Sequence, residues 1–244
     1  MLRAKNFKKI MEMFPMKNTL FYTIVLLFFS CSGSKEKFLH PDSVSPEIYE
    51  VLLDNDDVKV MMVTFKPGQG DKMHDHNPMT FHVLKGGKAK VTLPDGSVNE
   101  REIPSGFTGY SATGQRHQVT NIGENEVKIL LFEEKTITPK TERVENFLHP
   151  ELSSPEIYEV LLENEHVKVM MVTFEAGEGD QIHDHNPMIF HVIEGGKAKV
   201  TLPDGSVNER EIPSGFTGYN PQGQRHQVTN VGDNQVKILL VEHS

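Results

Sequence analysis

The chain has 244 residues, with 34 acidic against 25 basic side chains and a formal net charge of -9. That balance, without a basic patch, an RNA-binding signature or a zinc-finger pattern, argues against nucleic acid as a partner. A single cysteine, Cys31, leaves no disulfide within the chain and no thiolate for a site elsewhere.

Residues 1–30 differ from the rest of the chain. Arg3, Lys5, Lys8, Lys9 and Lys17 precede the apolar run Leu20 to Phe29, which closes on Ser30-Cys31. A bilayer span needs about 20 apolar residues, and this run is half that, so the segment reads as a signal peptide; an uncleaved anchor is the alternative. Leu27-Phe28-Phe29-Ser30-Cys31 resembles a bacterial lipobox, with Phe28 where leucine is usual. On that reading Cys31 is lipidated and becomes the mature N-terminus. The protein is then expected in the periplasm or cell envelope, meeting a membrane only through its lipid. Met16 offers a second start, followed by Lys17-Asn18 and the same run. Removing residues 1–30 takes away five basic and one acidic residue, leaving a net charge of about -13. Residues 31–37 are a polar tether.

From Phe38 the chain says everything twice. His74-Asp75-His76-Asn77-Pro78-Met79 returns as His183 to Met188, Ser45–Leu53 as Ser154–Leu162, Val58–Phe65 as Val167–Phe174, and Gly86–Tyr110 as Gly195–Tyr219. Repetition this close implies two domains of one fold, 38–134 and 147–244, joined by a polar linker, 135–146. Each is long enough for its own core.

Within each repeat the pattern is β. Val58–Phe65, Lys88–Leu93 and Val127–Phe132 read as strands, and Pro94-Asp95-Gly96-Ser97 as a tight hairpin turn. Pro46–Leu52 is left open between one or two helical turns and an edge strand. Many short strands with Gly and Pro turns predict an all-β sandwich or barrel. Met61, Met62, Met170 and Met171 stand at both parities of their strands and read as core filling.

Two histidines separated by one residue fall on the same face of a strand, so His74 and His76 can share a cation, and likewise His183 and His185. His117 and His226 supply a third imidazole per repeat. Three imidazoles suit Zn, Cu, Fe or Ni and leave a coordination position open. His82 and His191 are nearby candidates for an additional contact. Asp75 and Asp184 alternate outward, to solvate the rim or orient a neighbour. Arg116 and Arg225, each beside an inward histidine, also point out, toward a surface salt bridge. Tyr110 and Tyr219 follow glycines in a turn, suited either to line the pocket or to pack in the core or at the rim.

These motifs resemble the cupin superfamily of double-stranded β-helix, or jelly-roll, barrels. Its first motif, G-x5-H-x-H followed by a glutamate and a glycine, is similar to Gly68, His74, His76 and Gly86. Its second, G-x5-P-x-G-x2-H-x3-N, matches Gly215, Pro221, Gly223, His226 and Asn230, and in repeat 1 Gly106, Gly114, His117 and Asn121, with Ala112 in place of proline. Met79 and Met188 occupy the place of the motif glutamate, so an anionic ligand is lost. The resemblance implies a bicupin with a divalent transition metal, Fe, Mn, Ni, Cu or Zn, in each barrel, acting on a small polar molecule as do the dioxygenases and related oxygenases, oxalate-degrading enzymes and isomerases of the superfamily. The alternative is a non-catalytic, surface-tethered binding module for a sugar, organic acid or metal. A small-molecule ligand is the expected partner, and a homo-oligomer is left open.

Overall fold

The stretch Val58–Phe65 is apolar at both parities, and a strand with two apolar faces must be covered on both. In the computed structural model, which describes residues 37–136 and 146–243, two barrels meet that requirement. The segment read as a signal peptide, Cys31 and most of the linker lie outside the described residues.

Repeat 1 comprises α1 (Pro41–Val44), β1 (Tyr49–Asp54), β2 (Val58–Phe65), β3 (His74–Asp75), β4 (Met79–Lys85), β5 (Gly87–Thr92), β6 (Val98–Ile103), β7 (Thr108–Ser111), β8 (Arg116–Asn121) and β9 (Val127–Glu134). Repeat 2 keeps the same order with α2 (Pro150–Ser153), β10 (Tyr158–Glu163), β11 (Val167–Phe174), β12 (His183–His185), β13 (Met188–Glu194), β14 (Gly196–Thr201), β15 (Val207–Ile212), β16 (Thr217–Asn220), β17 (Gln224–Asn230) and β18 (Val236–His243). The segment left open resolves as a turn over residues 46–48 followed by an edge strand from Tyr49, since β1 and β10 each begin a five-stranded sheet. One helical turn precedes each, started by a proline at the first helical position, where the missing N–H costs nothing.

The sheets of repeat 1 run β1-β2-β9-β4-β7 and β3-β8-β5-β6, and those of repeat 2 run β10-β11-β18-β13-β16 and β12-β17-β14-β15. Every pairing is antiparallel, as jelly-roll barrels require. Alternation then divides β2. Met61, Val63 and Phe65 turn inward onto Ile48, Tyr49, Met79 and Leu131. Val58, Val60 and Met62 turn outward and, with Leu130 and Phe132, pack on Val167, Val169, Met171, Ile189, Leu239 and Val241 of the other repeat. The five-stranded sheets thus share one core, and Phe38 to Ser244 form a single compact unit.

The repeats diverge at this junction. Thr80 pairs with Phe132 in β4 and β9, whereas Ile189 pairs with Val241 in β13 and β18. The Thr80 hydroxyl is buried without a hydrogen-bond partner. Tyr110 stacks on His166 across the junction, with ring centroids 5.3 Å apart. Glu134 lies within electrostatic reach of His166, and His243 within reach of Asp57.

Candidate metal centre

The triads are assembled by cross-strand register. β3 pairs with β8 so that His74 faces His117, and β12 with β17 so that His183 faces His226. His76 is held beside them by its own N–H, which donates to the Gln115 carbonyl at 2.9 Å. Gly114 makes that approach possible, because a Cβ there would lie 2.3 Å from the His76 carbonyl oxygen. The next register pair, Asp75 with Arg116, is a bidentate ion pair at 2.7 and 2.8 Å, and Asp75 also accepts from the Leu39 N–H. Asp184 and Arg225 repeat it. The outward carboxylates and guanidinium groups therefore clip together the strands that carry the histidines.

The ligand nitrogens of His74, His76 and His117 all lie within 4.8 Å of one another, as do those of His183, His185 and His226. His74 and His183 are fully buried. Their Nδ1 atoms are committed to backbone carbonyls, Lys72 and Gln181, each at 2.8 Å. The Nδ1 of His76 faces Glu133 Oε1 at 2.5 Å, and that of His185 faces Glu242. What remains is Nε2, and in each repeat the two Nε2 atoms converge to 2.8 Å. Nitrogens so oriented, with outer partners fixing the ring, fit a divalent transition metal. His226 adds a buried Nδ1 with no hydrogen-bond partner.

Burial, reinforced by the neighbouring imidazoles, pushes His76, His117, His185 and His226 down to about 3. They are therefore neutral, the form that ligates. Burial also pushes Glu133 up to about 7 and Glu242 to about 8.

Two further groups at each triad were not among the sequence candidates. Tyr49 Oη lies 3.2 Å from His74 Nε2 and donates at 2.7 Å to Asp71 Oδ2. Asp71 also accepts from the Val119 N–H at 2.6 Å. Tyr158 and Asp180 are placed identically. Glu133 had a signal: Val127, Ile129 and Leu131 alternate inward, and the same parity carries Glu133 to the triad. Tyr49 had none until β1 was known to be a strand. A phenol and two carboxyl groups thus stand against each triad.

His82 and His191 are not brought to the triads. They share the parity of Thr80 and Ile189, on the face of the sheet turned away from the barrel interior, and their Nδ1 atoms meet Thr108 and Thr217 hydroxyls at 2.8 Å. Tyr110 and Tyr219 pack against the shared core, and Tyr110 also borders the first cavity. Met79 and Met188 line the interior where the motif glutamate was expected. Asn121, the last residue of the second motif, is a structural clamp that donates to the Phe65 and Asn125 carbonyls.

Each barrel encloses a cavity, about 560 Å³ in repeat 1 and about 300 Å³ in repeat 2. His76, His117 and Tyr49 line the first, His185, His226 and Tyr158 the second.

No family model and no curated protein matches the sequence. Among solved structures, AerE from Microcystis aeruginosa superposes with a TM-score of 0.57 at 12% identity, over 80% of this chain and 91% of its own. A single-residue variant of Bacillus subtilis oxalate decarboxylase gives 0.55 at 16% identity, over 80% of this chain and 74% of its own. The fold is that of a bicupin. At these identities the likeness is one of fold alone. In this chain each barrel keeps a full three-histidine set, with a phenol beside it and Met79 or Met188 on its wall.

Proposed function

We propose that this bicupin is exported and that each triad holds one divalent transition metal, Fe, Mn, Ni, Cu or Zn, serving a non-haem metal-dependent enzyme of the dioxygenase-like class on a small molecule. The observation that carries this reading is the double commitment of Nδ1, to a carbonyl in one histidine and a carboxyl in the next, which leaves paired Nε2 atoms aimed at one point in both repeats. A bound ion would supply Lewis acidity and an open position. The chain's own part is to hold His76 and His117 neutral, to orient His76 through Glu133, and to present the Tyr49 phenol, fixed by Asp71, to whatever enters. A second reading, a non-catalytic surface-tethered binding module, draws on Glu133 and Glu242 lying behind the imidazoles. That leaves the phenols as the proton-bearing groups beside the ligand.

Metal analysis of the reconstituted protein is expected to approach two ions per chain. His74→Ala with His76→Ala should remove about half, since distant sites act independently. Absence of saturable uptake of all five ions would refute the metal reading. Oxygen uptake by loaded protein separates enzyme from binding module. Export is tested by fractionation: wild type should follow the membrane, and Cys31→Ser should be released or unprocessed.

A further inference from the structure

Both cavities contain a polar feature that the metal does not use. Arg101 on β6 pairs with Ala89 of β5, and Arg210 on β15 with Ala198 of β14. Directly paired residues project from the same face of a sheet. Ala89 and Ala198 are 2% and 5% exposed, turned into the barrel. The two arginines are themselves exposed, so they stand over the mouth of the barrel, and each lines the cavity of its own repeat. On the outer face of the same hairpins, Lys88 meets Glu100 and Lys197 meets Glu209. Arg101 and Arg210 make no ion pair or hydrogen bond among the described residues, although Glu102 borders the first cavity.

The remaining walls are mostly apolar. Val63, Phe65, Met79, Phe81 and Leu131 line the first cavity, and their counterparts the second. A sugar would leave hydroxyls without partners against such walls. A carboxylate matches one guanidinium fork, whereas a phosphate would keep a second charge unmet. The smaller cavity, about 300 Å³, has the volume of about ten waters.

We propose that each cavity takes an organic acid with an apolar body: the carboxylate is held by Arg101 or Arg210, and the body lies along the aliphatic and aromatic wall with its far end toward the triad. This rests on the metal reading only for what happens at that far end.

Calorimetric titration with 3-phenylpropionate, its neutral amide and succinate tests the inference on the intact chain, both metal-loaded and chelator-treated. Phenylpropionate is expected to bind about tenfold or more tightly than the amide. Succinate, without an apolar body, should bind more weakly than phenylpropionate. Arg101→Gln with Arg210→Gln should erase the preference for acid over amide while metal content stays unchanged, and the Arg→Lys pair should keep part of it. Equal binding of acid and amide, or no binding of phenylpropionate, would overturn the proposal. So would an acid preference that survives in the Gln variant and disappears with the metal, which would place the carboxylate on the ion and leave the metal reading standing. A preference that persists without metal and vanishes in the Gln variant supports the arginine site whatever the fate of the metal.

Discussion

Glu133 and His76 show how one hydrogen bond couples proton and metal. For His76 Nε2 to ligate, its Nδ1 must carry the ring hydrogen and donate a hydrogen bond to Glu133, which accepts most strongly as a carboxylate. Burial favours the protonated acid instead. Metal affinity should accordingly rise with pH through about 7, and Glu133→Gln should weaken it by about 10–100-fold, read by competition with a chromogenic chelator. The metal-free protein has its own profile. Carboxyls raised to about 7 and 8 contribute stability that is full below 4.5 and lost as pH climbs through those values. Histidines lowered to about 3 contribute stability that is full above 6.5 and lost as pH falls toward 3. Four histidines outweigh two carboxyls between 4.5 and 6.5, so Tm should peak near pH 6.5. A steady rise from mildly acid to alkaline pH would contradict this. Thr80 offers a simpler test. Its hydroxyl is buried and unpartnered where repeat 2 has Ile189, so Thr80→Val should add about 1 kcal/mol, or about 2–4 °C in Tm.

At the scale of elements, β1 decides how much of the site could be read in advance. The histidines were legible because a period of two is enough to place them, and the same alternation correctly sent Asp75 and Arg116 outward to each other. Tyr49 was not legible, because Ser45–Leu53 mixes turn and strand signals and only tertiary pairing with β2 makes it extended. His82 could not be placed in advance, because Asn77-Pro78 breaks the strand and parity restarts at Met79. Tyr49→Phe, together with Tyr158→Phe, should retain the fold and metal content, since only hydroxyls are removed. The Asp71 and Asp180 carboxyls would each lose a donor, with a cost of about 1–3 kcal/mol per site visible in Tm.

At the scale of the molecule, the apolar outer faces of β2 and β11 were visible as strands with methionine at both parities, but what covers them was not. A fully buried side chain of this kind contributes about 1.5–3 kcal/mol, against a total stability of about 5–15 kcal/mol for a protein. The shared core is therefore large enough to decide whether either half stands alone. Repeat 1 expressed by itself, residues 38–134, is expected to gain stability, by thermal melting, when mixed with residues 147–244. No change on mixing would show the junction to be dispensable.

The pairs across that junction carry a message about partner choice. Repeat 1 offers two carboxylates, Asp57 and Glu134, where repeat 2 offers two imidazoles, His166 and His243. Two copies of repeat 1 would bring acid against acid, and two of repeat 2 imidazole against imidazole. The halves have thus become a matched pair, like plug and socket, and a chain built from either repeat twice would lose the complementarity that selects its neighbour.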